Sequence, residues 1–316
     1  MPGKKNPIMF SMSITPFTAD GKLDEPAYRA HLRRMVAANN GVYLGSGGAG
    51  EGHVLTLAEL KRVYKIGVEE CKGKVPTYAN PREPRSADAM YEVCQLAHDA
   101  GVEVVQLYPL DAGHGMRPTY LEQETYYRTL LDAIKYPVSI SVHVAVGYTT
   151  PVPLLKSLCA DYKNIQAINI MGPPLSYFVE VKDAVRKDIA LYTGIANVLM
   201  SLPLGSNGCL EAESNIAPKL CRSVLDHYLK GDMDKAGEAM TNVIRLGNIV
   251  NRWAPSTARW CKMGLKVLGL DSGVLRPPYM LPSEADQQEM GRLFDQMRLR
   301  EIEGLPAKKT PGKARR

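Results

Sequence analysis

The sequence predicts an α/β chain folded as a (β/α)8 TIM barrel with a C-terminal helical extension. Three observations predict it. Eight short β-like runs alternate with amphipathic stretches, which is the pattern of parallel βα units. Beyond residue 230 the apolar spacing is helical and the alternation stops. A length of 316 residues suits one barrel of roughly 250 residues with an addition.

The strand candidates are Ile8–Ser13, Gly41–Ser46, Pro76–Ala79, Val104–Tyr108, Val138–Val144, Ile165–Met171, Ile189–Thr193 and Gly208–Glu211. Helix starts lie between them. Thr56-Leu57-Ala58-Glu59 has capping-box spacing, with Leu60, Val63 and Ile66 following on one face. Ser86 precedes a stripe of Met90, Val93 and Leu96, and Thr150-Pro151 places a capping hydroxyl before a first-turn proline. Residues 1–230 read as the barrel and 231–303 as the extension, with helices over 232–250, 253–268 and 283–302, the last after Pro277-Pro278. Residues 304–316 read as a basic disordered tail.

Composition narrows the function. With 45% hydrophobic and 23% charged residues the chain is an ordinary globular protein. No apolar run approaches the ~18 residues that span a bilayer, and the N-terminus enters the first strand without a signal-peptide core. A cytoplasmic protein without a membrane partner is expected. Of the net charge of +6, Lys308, Lys309, Lys313, Arg315 and Arg316 contribute five, so the body is near neutral and no nucleic-acid partner is expected. The six cysteines form no C-x-x-C pair and read as reduced core thiols.

In a (β/α)8 barrel the active site lies where the βα loops converge at the C-terminal strand ends. That rule selects Ser46, Gly47, Gly48, Ala49, Gly50, Glu51 and His53 after the second strand, and Asn80, Arg82 and Arg85 after the third. The fourth and fifth strands contribute Tyr108, Asp111 and His114, then Ser141, His143 and Tyr148. Asn169, Thr193, Asn197, Glu211 and Glu213 complete the set. His53, His114 and His143 supply imidazoles suited to proton transfer near neutral pH. Asn169 and the two tyrosines could donate hydrogen bonds to an oxyanion. Glu211 and Glu213 share one face of their strand: inward they would be ligands or bases, outward they would be contacts to helices. Glu51 in a glycine-rich loop reads first as a structural acceptor of backbone N–H groups.

These residues resemble the dihydrodipicolinate synthase / N-acetylneuraminate lyase superfamily over nearly the whole chain. Ile14-Thr15-Pro16-Phe17 looks like its opening T-P-F, and Gly47-Gly48-Ala49-Gly50-Glu51 stands where it has G-T-T-G-E, followed by Leu55-Thr56 and Glu59. Ala100-Gly101, then Gly208, Asn215 and Pro218, then Leu268-Gly269-Leu270 and Val274-Leu275-Arg276-Pro277 continue the likeness in order. The resemblance implies a lyase on small organic acids, and a homotetramer. It also implies a strand-6 lysine that forms an imine with a 2-oxo acid, and here that position is Asn169. An amide nitrogen is not nucleophilic and forms no imine. The family's paired threonines correspond to Gly48 and Ala49, and its strand-5 tyrosine falls at Ser141 or His143.

The expectation is therefore a lyase-type enzyme (aldolase, hydratase or dehydratase) acting on a small organic acid or carbonyl compound by acid–base groups without an imine. His143, Asn169, His114 and His53 are the catalytic candidates. Ser46, Gly48, Ala49, Glu51, Tyr108, Ser141, Tyr148 and Thr193 are the substrate-binding candidates. No cofactor and no metal is called for. The alternatives are a metal-dependent hydrolase or lyase built on the loop histidines, and an inactive barrel that binds a ligand or partner.

Overall fold

A computed structural model describes residues 6–79 and 83–307. Eight parallel strands close into a barrel in chain order, and the last pairs with the first. They are β1 (Ile8–Met12), β2 (Gly41–Leu44), β3 (Thr77–Ala79), β4 (Val104–Leu107), β5 (Val138–His143), β6 (Ile165–Met171), β7 (Ala190–Gly194) and β8 (Gly208–Glu211). The helices around them are α1 (Glu25–Ala37), α2 (Leu57–Cys71), α3 (Ala87–Asp99), α4 (Tyr120–Ala133), α5 (Val152–Asp161), α6 (Leu175–Ala184), α7 (Val198–Leu204) and α8 (Pro218–Leu229). The chain continues through α9 (Met233–Val250), α10 (Thr257–Val267), α11 (Glu284–Gln296) and α12 (Leu299–Ile302).

Local chemistry explains most boundaries. The Thr56/Glu59 capping box closes on itself, and Ser86 accepts from the Ala89 amide. Thr150 does not cap α5: Pro151 occupies the N-cap, and Thr150 is buried beside Tyr127. The expected helix over 253–268 begins only at Thr257, because Pro255 stands in the preceding turn. The expected helix over 283–302 is two, broken where Arg298 takes a left-handed backbone. All six cysteines are buried and free.

Strand alternation sorts side chains between two compartments. Phe10, Tyr43, Tyr78, Val104, Ala167, Tyr192 and Leu210 fill the barrel, with Met12 and Met171 packed over them. The Phe10 ring lies 4.6–5.3 Å from those of Tyr43, Tyr78 and Tyr192. Gly41 makes room for it, since a Cβ there would stand 2.6 Å from the ring. The alternate residues, among them Val42, Leu44, Ile140, Val142, Ile168 and Ile170, face the helices.

Two polar knots join the loops to this framework. Asn215 Oδ1 accepts from the Ile14 amide at 3.0 Å and from His31 Nε2 at 2.9 Å, while its Nδ2 donates to the Met12 and Ala212 carbonyls at 2.8 Å. An amide oxygen only accepts, so His31 carries its proton on Nε2. Burial pushes the His31 pKa down to about 3, with Arg34 adding to the effect. The second knot ties the β2 loop to the C-terminal segment. Lys262 Nζ donates to Glu51 and, at 2.6 Å, to the Val274 carbonyl, and it sits 4.4 Å from the centre of the Phe17 ring. Arg276 donates its amide to Glu51 at 3.2 Å and forks onto Glu59 at 2.7 and 2.9 Å.

Glu51 and Lys262 are both almost fully buried, and removing one partner of such a pair strands the other charge. Lys262→Met is expected to lower the unfolding free energy by roughly 3–5 kcal/mol, read from urea denaturation. A loss below about 1 kcal/mol would show that the pair does not hold the fold.

Candidate active site

The C-terminal rim is assembled from loops whose conformations are set by their own side chains. After β2, Ser46 Oγ accepts the Gly50 amide at 2.8 Å and its carbonyl accepts Gly52 at 2.8 Å, which folds residues 46–52 into a tight turn. Gly52 has no room for a side chain, since a Cβ would stand 2.5 Å from the Gly45 carbonyl oxygen. Ser46 is thus committed to the loop, and Glu51 to Lys262 and Arg276. Ala49 is buried in the apolar cluster shared with the C-terminal helices. Gly48 alone of these is exposed, opening toward Thr257 Oγ1, which lies 3.9 Å from where its Cβ would be.

Below the rim, Asn169 is fully buried inside the barrel. Its Nδ2 donates to the Tyr43 hydroxyl and to Gln106 Oε1. An amide nitrogen has two hydrogens, so both are engaged and neither remains for a substrate. The role of Asn169 as an oxyanion donor is therefore corrected: it orders the barrel interior. Tyr43 and Gln106, which the sequence reading passed over, complete this network. The polar Gln106 within Val104-Val105-Gln106-Leu107 was the available signal.

Strand pairing separates the two strand-5 positions. Ser141 lies opposite Asn169, and His143 lies one inward step higher, opposite Met171. His143 is half-buried at the inner rim, with its ring 6.0 Å from that of Tyr108 in an edge contact. Burial lowers its pKa below the ordinary imidazole value, and Glu83 partly offsets this. The Nδ1 atom is buried without a protein partner among the described residues. Tyr148 donates its hydroxyl to the Leu110 carbonyl at 2.8 Å, and the Tyr108 carbonyl accepts from Tyr126 at 2.7 Å.

The other two histidines stand apart in role. His53 is exposed, with Nδ1 3.0 Å from the Gly47 carbonyl. It lines an open cleft of about 640 Å³ with Glu83, Arg85, Asp111 and Ala145. Arg85 approaches Asp111 at 3.9 Å across that cleft. His114 is exposed at the tip of the turn after β4, in a left-handed conformation. Among the described residues no three His, Cys, Asp or Glu side chains are placed to hold a metal ion. Asn80 and Arg82 lie outside the described residues.

Two further candidates face away from the mouth. Tyr192 points into the barrel, so Thr193 points outward and pairs its hydroxyl with Ser201 of α7 at 3.0 Å. Thr193 is corrected from a substrate contact to a strand–helix contact. Leu210 points inward, so Glu211 points outward, where both its oxygens accept the Ser214 amide at 2.9–3.0 Å. Burial, then the adjoining Glu213 carboxylate, raises the Glu211 pKa well above its ordinary value. Asn197 ends the short turn after β7 and caps nothing with its side chain.

The profile of the dihydrodipicolinate synthetase family matches residues 6–297. Among similar proteins is a 4-hydroxy-tetrahydrodipicolinate synthase of Bradyrhizobium diazoefficiens, 27% identical over 275 residues that cover 86% of this chain and 90% of that one. An uncharacterized DapA-like lyase of Thermofilum pendens is 28% identical over 268 residues, covering 83% and 87%. Among solved structures, YagE of E. coli K12, a prophage protein of the dihydrodipicolinic acid synthase family in complex with pyruvate, superposes with a TM-score of 0.84 at 20% identity. That superposition covers 93% of this chain and 99% of the other, and shows the fold.

Buried Glu211, beside the half-buried Glu213, gives a pH prediction. A carboxyl pKa raised on folding means that the folded chain keeps a proton which the unfolded chain releases near 4.5. The stabilising contribution is complete below that value and declines as pH rises, by at most about 1.4 kcal/mol per pH unit. Because His31 and the other groups titrate alike in both proteins, the stability of Glu211→Gln relative to the parent, read by urea unfolding, is expected to increase from pH 5 to 9. Parallel profiles would contradict it.

Proposed function

We propose, from the premise that this chain belongs to the dihydrodipicolinate synthetase family, that it is a lyase acting on a small organic acid or carbonyl compound without an imine intermediate. The observation that carries the reading is Asn169. It stands at the position where the family resemblance calls for the imine-forming lysine, and its amide is committed to Tyr43 and Gln106. Lys163, Lys182 and Lys187 are exposed and lie before β6 or on the helical side after it. Lys262 is buried, but its amine is tied to Glu51.

His143 is the group placed to move a proton. It is the histidine at the inner rim, and burial keeps it neutral at pH 7, the form that accepts a proton. The cleft begins at Ala145, two residues beyond it. An acidic C–H beside a carbonyl, or a hydroxyl whose loss cleaves or dehydrates the substrate, brought past Ala145 to the inner rim would meet a base that is not already protonated. Arg85, highly exposed and near Asp111, is available to a substrate carboxylate at the cleft's outer wall. His53 lines the same cleft and His114 stands at a loop tip, so these serve as contacts and not as the base. Beside this reading stands the inactive barrel that binds a ligand, and the filled interior around Phe10 and the three tyrosines favours it.

Borohydride treatment with pyruvate and other 2-oxo acids, read by intact mass, is expected to leave the protein unmodified while a lysine-dependent family enzyme is trapped in parallel. An adduct would overturn the reading, and peptide mapping would test Lys262 first. With a panel of 4-hydroxy-2-oxo acids, His143→Ala is expected to lower turnover by about 10²–10⁴-fold and His114→Ala to leave it near the parent level. Unchanged turnover in His143→Ala would remove that residue as the base. No turnover of any member by the parent would favour the binding barrel.

A further inference from the structure

The C-terminal segment walls one side of the mouth and carries a recess that the sequence reading did not single out. Arg252 and Trp253 end the turn after α9, Arg259 stands on the first turn of α10, and Tyr279 and Met280 follow Pro277-Pro278. Together they line a recess of about 470 Å³, a size that suits a small ligand.

Its polar groups are unequally committed. Arg252 faces Glu289 at 3.5 Å, and Trp253 Nε1 donates to Asp286 at 2.9 Å. Arg259 donates Nε to the Met280 carbonyl at 3.2 Å, which orients the guanidinium and leaves its terminal nitrogens available. It forms no ion pair among the described residues. Beside this cation, Tyr279 and Met280 expose large apolar surfaces, 43% and 76% accessible. The Tyr279 ring also meets the His53 ring edge-on at 5.6 Å, so a wall of the recess touches a wall of the cleft.

An oriented guanidinium matches a carboxylate with two parallel hydrogen bonds. Indole, phenol and thioether surfaces next to it favour a flat, apolar body. We propose that this recess is a subsite for the carboxylate end of a planar ligand whose other end reaches the neighbouring cleft, with Arg259 selecting the anion. It rests on the reading that the mouth handles a small organic acid, and it adds where the acid group is held. Arg85 lines the cleft and Arg259 the recess, so the two guanidiniums are separate points for binding an anion.

Trp253 reports on the recess directly, because the chain's other tryptophan, Trp260, is buried in the C-terminal layer. The full-length protein is titrated at constant ionic strength with 4-nitrobenzoate and with the uncharged 4-nitrobenzyl alcohol, reading tryptophan fluorescence lifetime. Saturable quenching by the anion alone is expected, weakened at least tenfold in Arg259→Gln, intermediate in Arg259→Lys and abolished in Trp253→Phe. Equal quenching by both probes, an unchanged Arg259→Gln, or quenching that survives Trp253→Phe would overturn the subsite. Inorganic phosphate displacing the probe better than acetate would overturn the carboxylate assignment. If Arg259→Gln does not fold, sodium chloride titration of the parent reads the same contact, and salt-independent affinity overturns it. Because quenching needs no turnover, its loss in an active enzyme removes the subsite alone. Intact quenching without His143-dependent turnover removes only the reading of the mouth.

Discussion

The buried contact between Glu51 and Lys262 is the constraint on which the arrangement of the mouth depends. The β2 loop adopts a left-handed backbone at Glu51 and places a carboxylate where water is excluded. Such a group is tolerated only when it is paired and hydrogen-bonded. Lys262 from α10 and the Arg276 amide meet those needs, and the Phe17 ring packs against the cationic side chains of both residues, so three separate parts of the chain converge. The loop after β1, the glycine-rich turn after β2 and the segment following α10 are therefore fixed relative to one another.

The second constraint is the filling of the barrel. Phe10 and the three tyrosines occupy the interior, where Asn169 Nδ2 is engaged by Tyr43 and Gln106. A group engaged at that depth is ordered but unavailable, so chemistry is displaced upward to the layer of His143 and outward to the loops. The same burial that keeps His143 neutral makes it a competent proton acceptor. The proposed site accordingly lies at the rim of the barrel and not on its floor, with the C-terminal segment beside it.

Strand parity explains which residues were legible and which were not. Ile168-Asn169-Ile170 shows its geometry in one dimension: two isoleucines for the helix side and one amide for the interior. Thr193 and Glu211 are polar residues at strand ends and looked equally suited to the mouth. Their inward neighbours, Tyr192 and Leu210, decide otherwise, and a shift of one residue reverses the face. Glu51 was legible both as a structural acceptor and as a substrate contact, and the partner that engages it lies 211 positions away in sequence, beyond any local pattern. The three histidines shared a rim in the strand order, yet burial distinguishes His143 from His53 and His114, and burial is a property of packing.

Alternation of apolar runs, capping residues and helical spacing by themselves determined the eight strands, their helices and the barrel. Those features are local, because each depends on residues within a turn or a strand of one another. Tertiary structure alone decided that Asn169 faces Tyr43 and Gln106, that Thr193 and Glu211 turn outward, and that Lys262 closes on Glu51. It also brought Arg259 and Tyr279 to the mouth. These outcomes depend on which distant segments close against each other, and the free energy of burying a charge or filling a barrel belongs to the whole packed molecule and not to any stretch of its chain.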